Sequence, residues 1–158
     1  MQTIEHRNHT IEIHPDPDAQ YPSFDGIEIL YCSTSYPLGT RRASRDELDK
    51  ISKRKYHMIP VYAYVHSDAT ISSSPFSCPF DSGQSGIAIM PKKDCRVTDP
   101  LKALENYVNA YGEFMMTGGF GYVIKDAEGN HVDSCWGYVT EEFCIDDAKN
   151  CVENLIYS

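Results

Sequence analysis

The clearest two-residue alternation in the chain runs through residues 58–67, "MIPVYAYVHS". Val61, Ala63 and Val65 fall on one side, and Tyr62, Tyr64 and His66 on the other. Both sides carry apolar bulk, which predicts a strand central in its sheet. Shorter runs predict strands at 2–6, 10–14, 26–33 and 86–90. "FGYVIK" (120–125) and "HVDSCWGYV" (131–139) flank residues 126–130, which reads as a hairpin with a five-residue loop.

Three stretches change to a helical period. Leu101, Leu104, Val108, Tyr111 and Met115 form one apolar face at alternating spacings of three and four. Asp99 caps that helix, Pro100 takes its first turn, where a missing N–H costs nothing, and Gly118-Gly119 stops it. A last helix opens at Asp146-Asp147, with a stripe of Ala148, Cys151, Val152 and Leu155. Ser44 and Glu47 fit a capping box for a short surface helix over 45–54, whose apolar face is mainly Leu48 and Ile51. The order predicts an α+β protein. It is a single domain over 1–158, with an antiparallel or mixed sheet, and two main helices and one short helix packed on one face of it. A chain of 158 residues holds one domain with a core but hardly two.

One loop breaks the usual polarity of loops. In "PFSCPFDSGQSGIAIM" (75–90), Phe76, Cys78 and Phe80 share one side of an extended segment. Pro75 and Pro79 restrict the backbone to that form, and Asp81 can accept from the N–H groups that follow. This reads as an ordered lid fastened by two rings and a thiol. The same residues offer a Cys-His-acid arrangement, with Cys78 as nucleophile, His66 as base and Asp81 as orienter. A thiol between rings and prolines has a raised pKa, the wrong direction for a thiolate, so Cys78 is expected to be structural.

His66, Asp81, Asp133, Ser134 and Cys135 converge if the lid and the hairpin are neighbours. They would then form a polar network or a pocket, with His66, Asp133 and Cys135 as a second catalytic set. His6, His9 and His14, near Glu5, Glu12 and Asp16, are of metal-ligand type. The plainer reading is a polar terminal hairpin. Trp136 is either core or an exposed interface anchor. Dinucleotide, phosphate-loop and zinc-protease signatures are absent, and no cofactor is expected.

Charge adds a partner to this picture. There are 23 acidic and 14 basic residues, a net −9. Residues 1–31 hold six acids against Arg7, and residues 103–158 hold ten against Lys125 and Lys149. Arg41–Lys55 reverses the sign, with seven bases against three acids. The acidic majority argues against direct nucleic-acid binding, apart from a phosphate contact at that basic stretch. It suits a basic partner surface. The candidate partner-binding residues are Glu105 and Glu113 on the long helix, Asp126 and Glu128 at the hairpin tip, and Glu141 and Glu142 before the last helix. Met1–His6 is polar, and no run approaches the roughly 20 apolar residues of a membrane span. A cytoplasmic protein with no membrane partner is expected, its six cysteines reduced.

Three motifs carry a resemblance: Tyr64-Val65-His66-Ser67, residues 75–84 ("PFSCPFDSGQ") and Asp133-Ser134-Cys135-Trp136-Gly137. Together they resemble a family of small uncharacterised proteins carried by bacteriophages, plasmids and integrative elements. The likeness frames residues 60–139, about half of the chain. Phe80 stands where the family pattern has Trp, which keeps an aromatic ring. The resemblance implies an accessory gene of a mobile element, a class that often counters host defence such as restriction and CRISPR systems. It implies no activity residue by residue.

Three functions follow. The first is a non-enzymatic inhibitor of anti-CRISPR or anti-restriction type, docking an acidic face on a nucleic-acid-handling host protein. The second is a small enzyme using Cys78 and His66, or His66, Asp133 and Cys135. The third is a structural or regulatory accessory protein. The first is preferred, because imitating nucleic-acid charge needs carboxylates on a rigid scaffold.

Overall fold

A computed structural model describes residues 1–32, 38–66, 68–77 and 81–157. In chain order the elements are β1 (Gln2–His6), β2 (His9–Asp16), β3 (Glu28–Tyr31), β4 (Arg41–Arg42), α1 (Arg45–Lys50) and β5 (Tyr56–Val65). There follow β6 (Ala69–Ser72), β7 (Ser82–Pro91), α2 (Pro100–Thr117), β8 (Gly119–Lys125), β9 (His131–Tyr138) and α3 (Glu141–Tyr157). The class is α+β, as the pattern predicts, with the strands divided between two sheets. The chain forms two compact units. One is discontinuous, Met1–Tyr21 with Thr117–Ser158, and the other, Pro22–Met116, is inserted between β2 and β8.

The discontinuous unit is an antiparallel sheet of order β1-β2-β8-β9 with α3 on one face. Arg7 and Asn8 turn the chain from β1 to β2, both at positive φ (51° and 64°), as a two-residue hairpin turn that matches strand twist requires. Ile11, Ile13, Tyr122 and Ile124 point to α3 and are buried against Cys144, Ala148 and Val152. α3 starts five residues before the predicted Asp146. Thr140 caps it: its Oγ1 accepts the Phe143 N–H at 3.2 Å, and Glu141 and Glu142 occupy the dipole-favoured first turn.

The inserted unit has the sheet order β4-β3-β7-β5-β6, with β3–β4 parallel and the other pairs antiparallel. β5 is an interior strand, as its two apolar faces require. α2 covers one face, placing Leu104, Tyr107, Val108 and Tyr111 on Ile29, Val61, Ile71 and Ala88. On the other face Leu30, Ala43 and Ile89 pack with Leu48 and Ile51, in and just beyond α1. Helices on a single face were expected. Consecutive apolar residues such as Ile29-Leu30 and Ala88-Ile89-Met90 feed both faces, so both must be covered.

The caps of the two helices in this unit are those read from sequence. Ser44 Oγ accepts the Glu47 N–H at 3.2 Å, and Asp99 Oδ1 the Lys102 N–H at 3.2 Å. Leu101 and Leu155, placed in the buried stripes by spacing, are 49% and 42% exposed, each in a terminal turn of its helix. Tyr107 and Phe114 are buried instead. Among the described residues, no helix is long and apolar enough to cross a membrane.

Candidate functional site

The acidic excess belongs to one unit. Met1–Tyr21 and Thr117–Ser158 hold twelve Asp and Glu against Arg7, Lys125 and Lys149, which is the full net −9. Pro22–Met116 holds eleven acids and eleven bases and is neutral. Glu105 and Glu113 sit on α2 in the neutral unit, with Lys102 Nζ 3.7 Å from Glu105 Oε2. Asp126 and Glu128 form the β8–β9 turn. Glu141 and Glu142 lie past the far end of β9, whose eight residues span roughly 25 Å. The four carboxylates of the acidic unit therefore divide between its two ends. Asp126 serves its own turn: Oδ1 accepts the N–H groups of Asn130 (2.9 Å) and Glu128 (3.0 Å). These bonds, the Asn130 backbone bond foremost, hold its pKa below the usual carboxylate value.

At the Glu141 end Asp16, the last residue of β2, pairs with Gly119, the first of β8. Its Oδ2 accepts the Gly137 N–H at 2.9 Å and its Oδ1 the Asp18 N–H at 3.0 Å. Beside it stands Trp136, 49% exposed. The structure thus has the second of the two sequence readings of this residue, an exposed ring. A Cβ on Gly121 would come within 2.1 Å of Trp136 Cε3, so the indole rests directly on the β8 backbone. His14 is the register partner of Gly121, and its ring centroid is 6.0 Å from that of the indole. Ile11 and Ile13 face α3, so strand alternation puts Glu12 and His14 on the opposite face.

The three candidate histidine ligands are engaged separately. His6 Nε2 lies 2.9 Å from Glu153 Oε1, His9 Nδ1 2.9 Å from the Arg7 carbonyl oxygen, and His14 Nε2 3.0 Å from Glu12 Oε1. Lys125 Nζ is 3.0 Å from Glu12 Oε2, and these two partners, Lys125 first, lower the Glu12 pKa. Among the described residues, no three His, Cys, Asp or Glu side chains gather as a metal site.

Under α3 lies a network that the sequence reading missed. Cys151 Sγ donates to Asp133 Oδ2 at 3.2 Å, and the Tyr138 hydroxyl donates to the Asp147 carboxylate. The Tyr122 and Tyr138 ring centroids are 5.8 Å apart. A cavity of about 360 Å³ opens beside them, lined by Tyr122, Asp147, Asn150, Cys151, Asn154 and Leu155. Burial first, and then hydrogen bonding, raises the pKa of both phenols and of the Cys151 thiol. Burial, with nearby acidic groups, pushes Cys144 up to about 11. Cys144 and Cys151 are therefore protonated near neutral pH, which suits hydrogen bonding and not nucleophilic attack. The signal was present in sequence: Tyr122 and Tyr138 lie on inward positions of the predicted hairpin.

His66 and Asp81 lie close together, with Nδ1 3.5 Å from Oδ2 in an exposed pair. The Val65 N–H donates to the Asp81 carbonyl oxygen at 2.9 Å, which ties the end of β5 to the start of β7. Phe76 packs on Tyr64 at 5.7 Å between centroids, one anchor of the predicted lid. Cys78 and Phe80 lie outside the described residues. Asp133, Ser134 and Cys135 belong to the other unit. In the basic stretch, Arg41 donates to Glu28 Oε1 and Glu47 Oε2, each at 3.2 Å, and α1 buries no residue, as a solvated surface helix would. No protein-family model, no curated protein and no solved structure matches the chain.

Proposed function

We propose that this chain is an accessory protein of a phage or other mobile element. It acts in the host cytoplasm without catalysis, by docking its acidic unit on a basic, nucleic-acid-handling host protein. Inhibition of a host defence system, of anti-CRISPR or anti-restriction type, is the activity this serves. One observation carries the reading: the whole net charge of −9 lies on the discontinuous unit while the inserted unit is neutral. A charge held on one ordered sheet-and-helix unit presents carboxylates as a nucleic acid presents phosphates.

Exposed charges are screened over about 8 Å at physiological salt, so association with the partner should slow as salt rises. The experiment is capture of the partner from the host with tagged protein, followed by association rates across a salt series. Glu141→Lys with Glu142→Lys should slow association several-fold at low salt, and Glu105→Lys with Glu113→Lys should leave it near wild type. Rates that are flat with salt and indifferent to both reversals would sink the electrostatic reading.

A second reading is the small enzyme with Cys78 as nucleophile, His66 as base and Asp81 as orienter, and the 3.5 Å approach of His66 Nδ1 to Asp81 Oδ2 supports it. Alkylation of Cys78 across pH, read by peptide mass, separates the two. A structural thiol gives half-maximal reaction at or above the ordinary value of about 8.5. Half-maximal reaction below about pH 7 would assign Cys78 a paired thiolate and favour the enzyme.

A further inference from the structure

We infer that the inserted unit binds a nucleoside monophosphate in a cleft between α1 and β7, with Arg42 and Arg45 on its phosphate. This goes beyond the docking of the acidic unit and does not depend on it. Two cavities meet there, of about 400 and 490 Å³, and they share Cys32 and Arg45. Arg42 lines the larger one with Arg45, so a single cavity holds both guanidinium side chains. Their backbones are fixed by what lies between them. The buried Ala43 donates its N–H to the Tyr31 carbonyl oxygen at 2.8 Å, and its own carbonyl oxygen accepts from Cys32 Sγ at 3.3 Å. Ser44 Oγ is held by the Glu47 N–H at 3.2 Å. Two cations set on an anchored backbone lose less freedom when a ligand orders them.

Charge and shape select the ligand. Arg41 takes both nearby glutamates, Glu28 and Glu47. Among the described residues, Arg42 and Arg45 make no ion pair and no side-chain hydrogen bond. Asp49 is the one carboxylate among the described lining residues, and it lines the smaller cavity and not the one with both arginines. Two unspent cations in one cavity suit a phosphate monoester, which carries nearly two negative charges near neutral pH, better than a carboxylate with one. The guanidinium fork also meets phosphate oxygens in pairs. The smaller cavity takes the rest of the ligand. Leu48 and Ile87, packed on Leu30, Ala43 and Ile89, give it an apolar floor for a base. Gln84 stands at its wall and donates Nε2 to the Gly86 carbonyl oxygen at 3.3 Å. Its amide oxygen is left to accept from a base edge or a ribose hydroxyl. Sites for small organic ligands span roughly 300–1,000 Å³, and this cleft lies at the end that suits a single nucleotide.

The full-length protein is titrated by calorimetry with the monophosphates of adenosine, guanosine, cytidine and uridine. Inorganic phosphate, adenosine and a single-stranded oligonucleotide are the comparisons. At least one monophosphate should bind saturably, and roughly tenfold or more tighter than inorganic phosphate or adenosine. Arg42→Ala and Arg45→Ala should each weaken that binding roughly tenfold. Arg54→Ala, in the same basic stretch but outside both cavities, should leave it unchanged. Both arginines are exposed, so these variants should fold, which circular dichroism checks. Bound nucleotide should also slow alkylation of Cys32, which lines both cavities, read by peptide mass. Failure of every monophosphate to bind would overturn the inference. So would equal affinity for inorganic phosphate or adenosine, an equal loss with Arg54→Ala, or binding that leaves Cys32 alkylation unchanged. Much tighter binding of the oligonucleotide would overturn it in favour of a nucleic-acid strand. The salt series on the acidic unit is judged separately from every one of these results.

Discussion

Gly86→Ala should lower stability by about 3 kcal/mol or more, an effect out of proportion to one methyl group. Gly86 lies in β7, between β3 and β5, where the register with β5 shifts after Val61. A Cβ there would sit 1.8 Å from the Leu30 carbonyl oxygen and 2.8 Å from its carbon. It would point across the ladder at the neighbouring backbone, and Leu30 is itself fully buried. No rotamer relieves a clash with main chain, so strands must part at the centre of a sheet packed on both faces. For a chain of this length the melting temperature should fall by roughly 6–12 °C. Gly83→Ala in the same strand is the control, because a Cβ there meets nothing within 4 Å. Thermal melts of both variants by circular dichroism decide it. A Gly86→Ala protein within about 0.5 kcal/mol of wild type would mean that β3 and β7 are not paired at that spacing.

Leu104→Ala should cost about 2–5 kcal/mol, while Leu101→Ala, one turn earlier, should cost less than about 0.5 kcal/mol. Leu104 is fully buried where α2 meets the sheet, beside Val108 and Tyr107. Its removal forfeits transfer energy and leaves a cavity between rigid layers. Leu101 has the same chemistry and the same predicted stripe but is half exposed. Urea unfolding of the pair therefore tests where along α2 the core begins. Equal costs for the two would place the first turn of the helix against the sheet, contrary to its exposure.

Local signals were the legible part of this chain. The Ser44 and Asp99 caps, the terminal and 120–139 hairpins and the interior strand at 56–65 each declare themselves within about ten residues, through periodicity or side-chain bonding to nearby N–H groups. Non-local facts were not legible. Nothing in residues 9–16 says that their partner strand is 119–125, so the division into two sheets and the confinement of charge to one unit could not be read. Leu101 and Leu155 show the limit of spacing: it fixes which side of a helix is apolar, not how far along the axis the sheet extends. The start of α3 was misplaced because Asp146-Asp147 offered a second plausible first turn after the true cap at Thr140. Of the site residues, the His66–Asp81 pair was legible because one strand end meets the next, whereas the seat of Trp136 on Gly121 depends on a bulged register.

The insertion between β2 and β8 sets an order of events during synthesis. The register joins Asp16 to Gly119, so the first two strands have no sheet to enter until β8 has left the ribosome. Residues 22–116 find all their strand partners among themselves and can fold meanwhile. Closing an unstructured loop of about a hundred residues costs roughly 4 kcal/mol in chain entropy, and closing the few linker residues left around a folded insert costs about half of that. The acidic unit is thus completed after the inserted one, and the surface it offers a partner exists only once β8, β9 and α3 have been made.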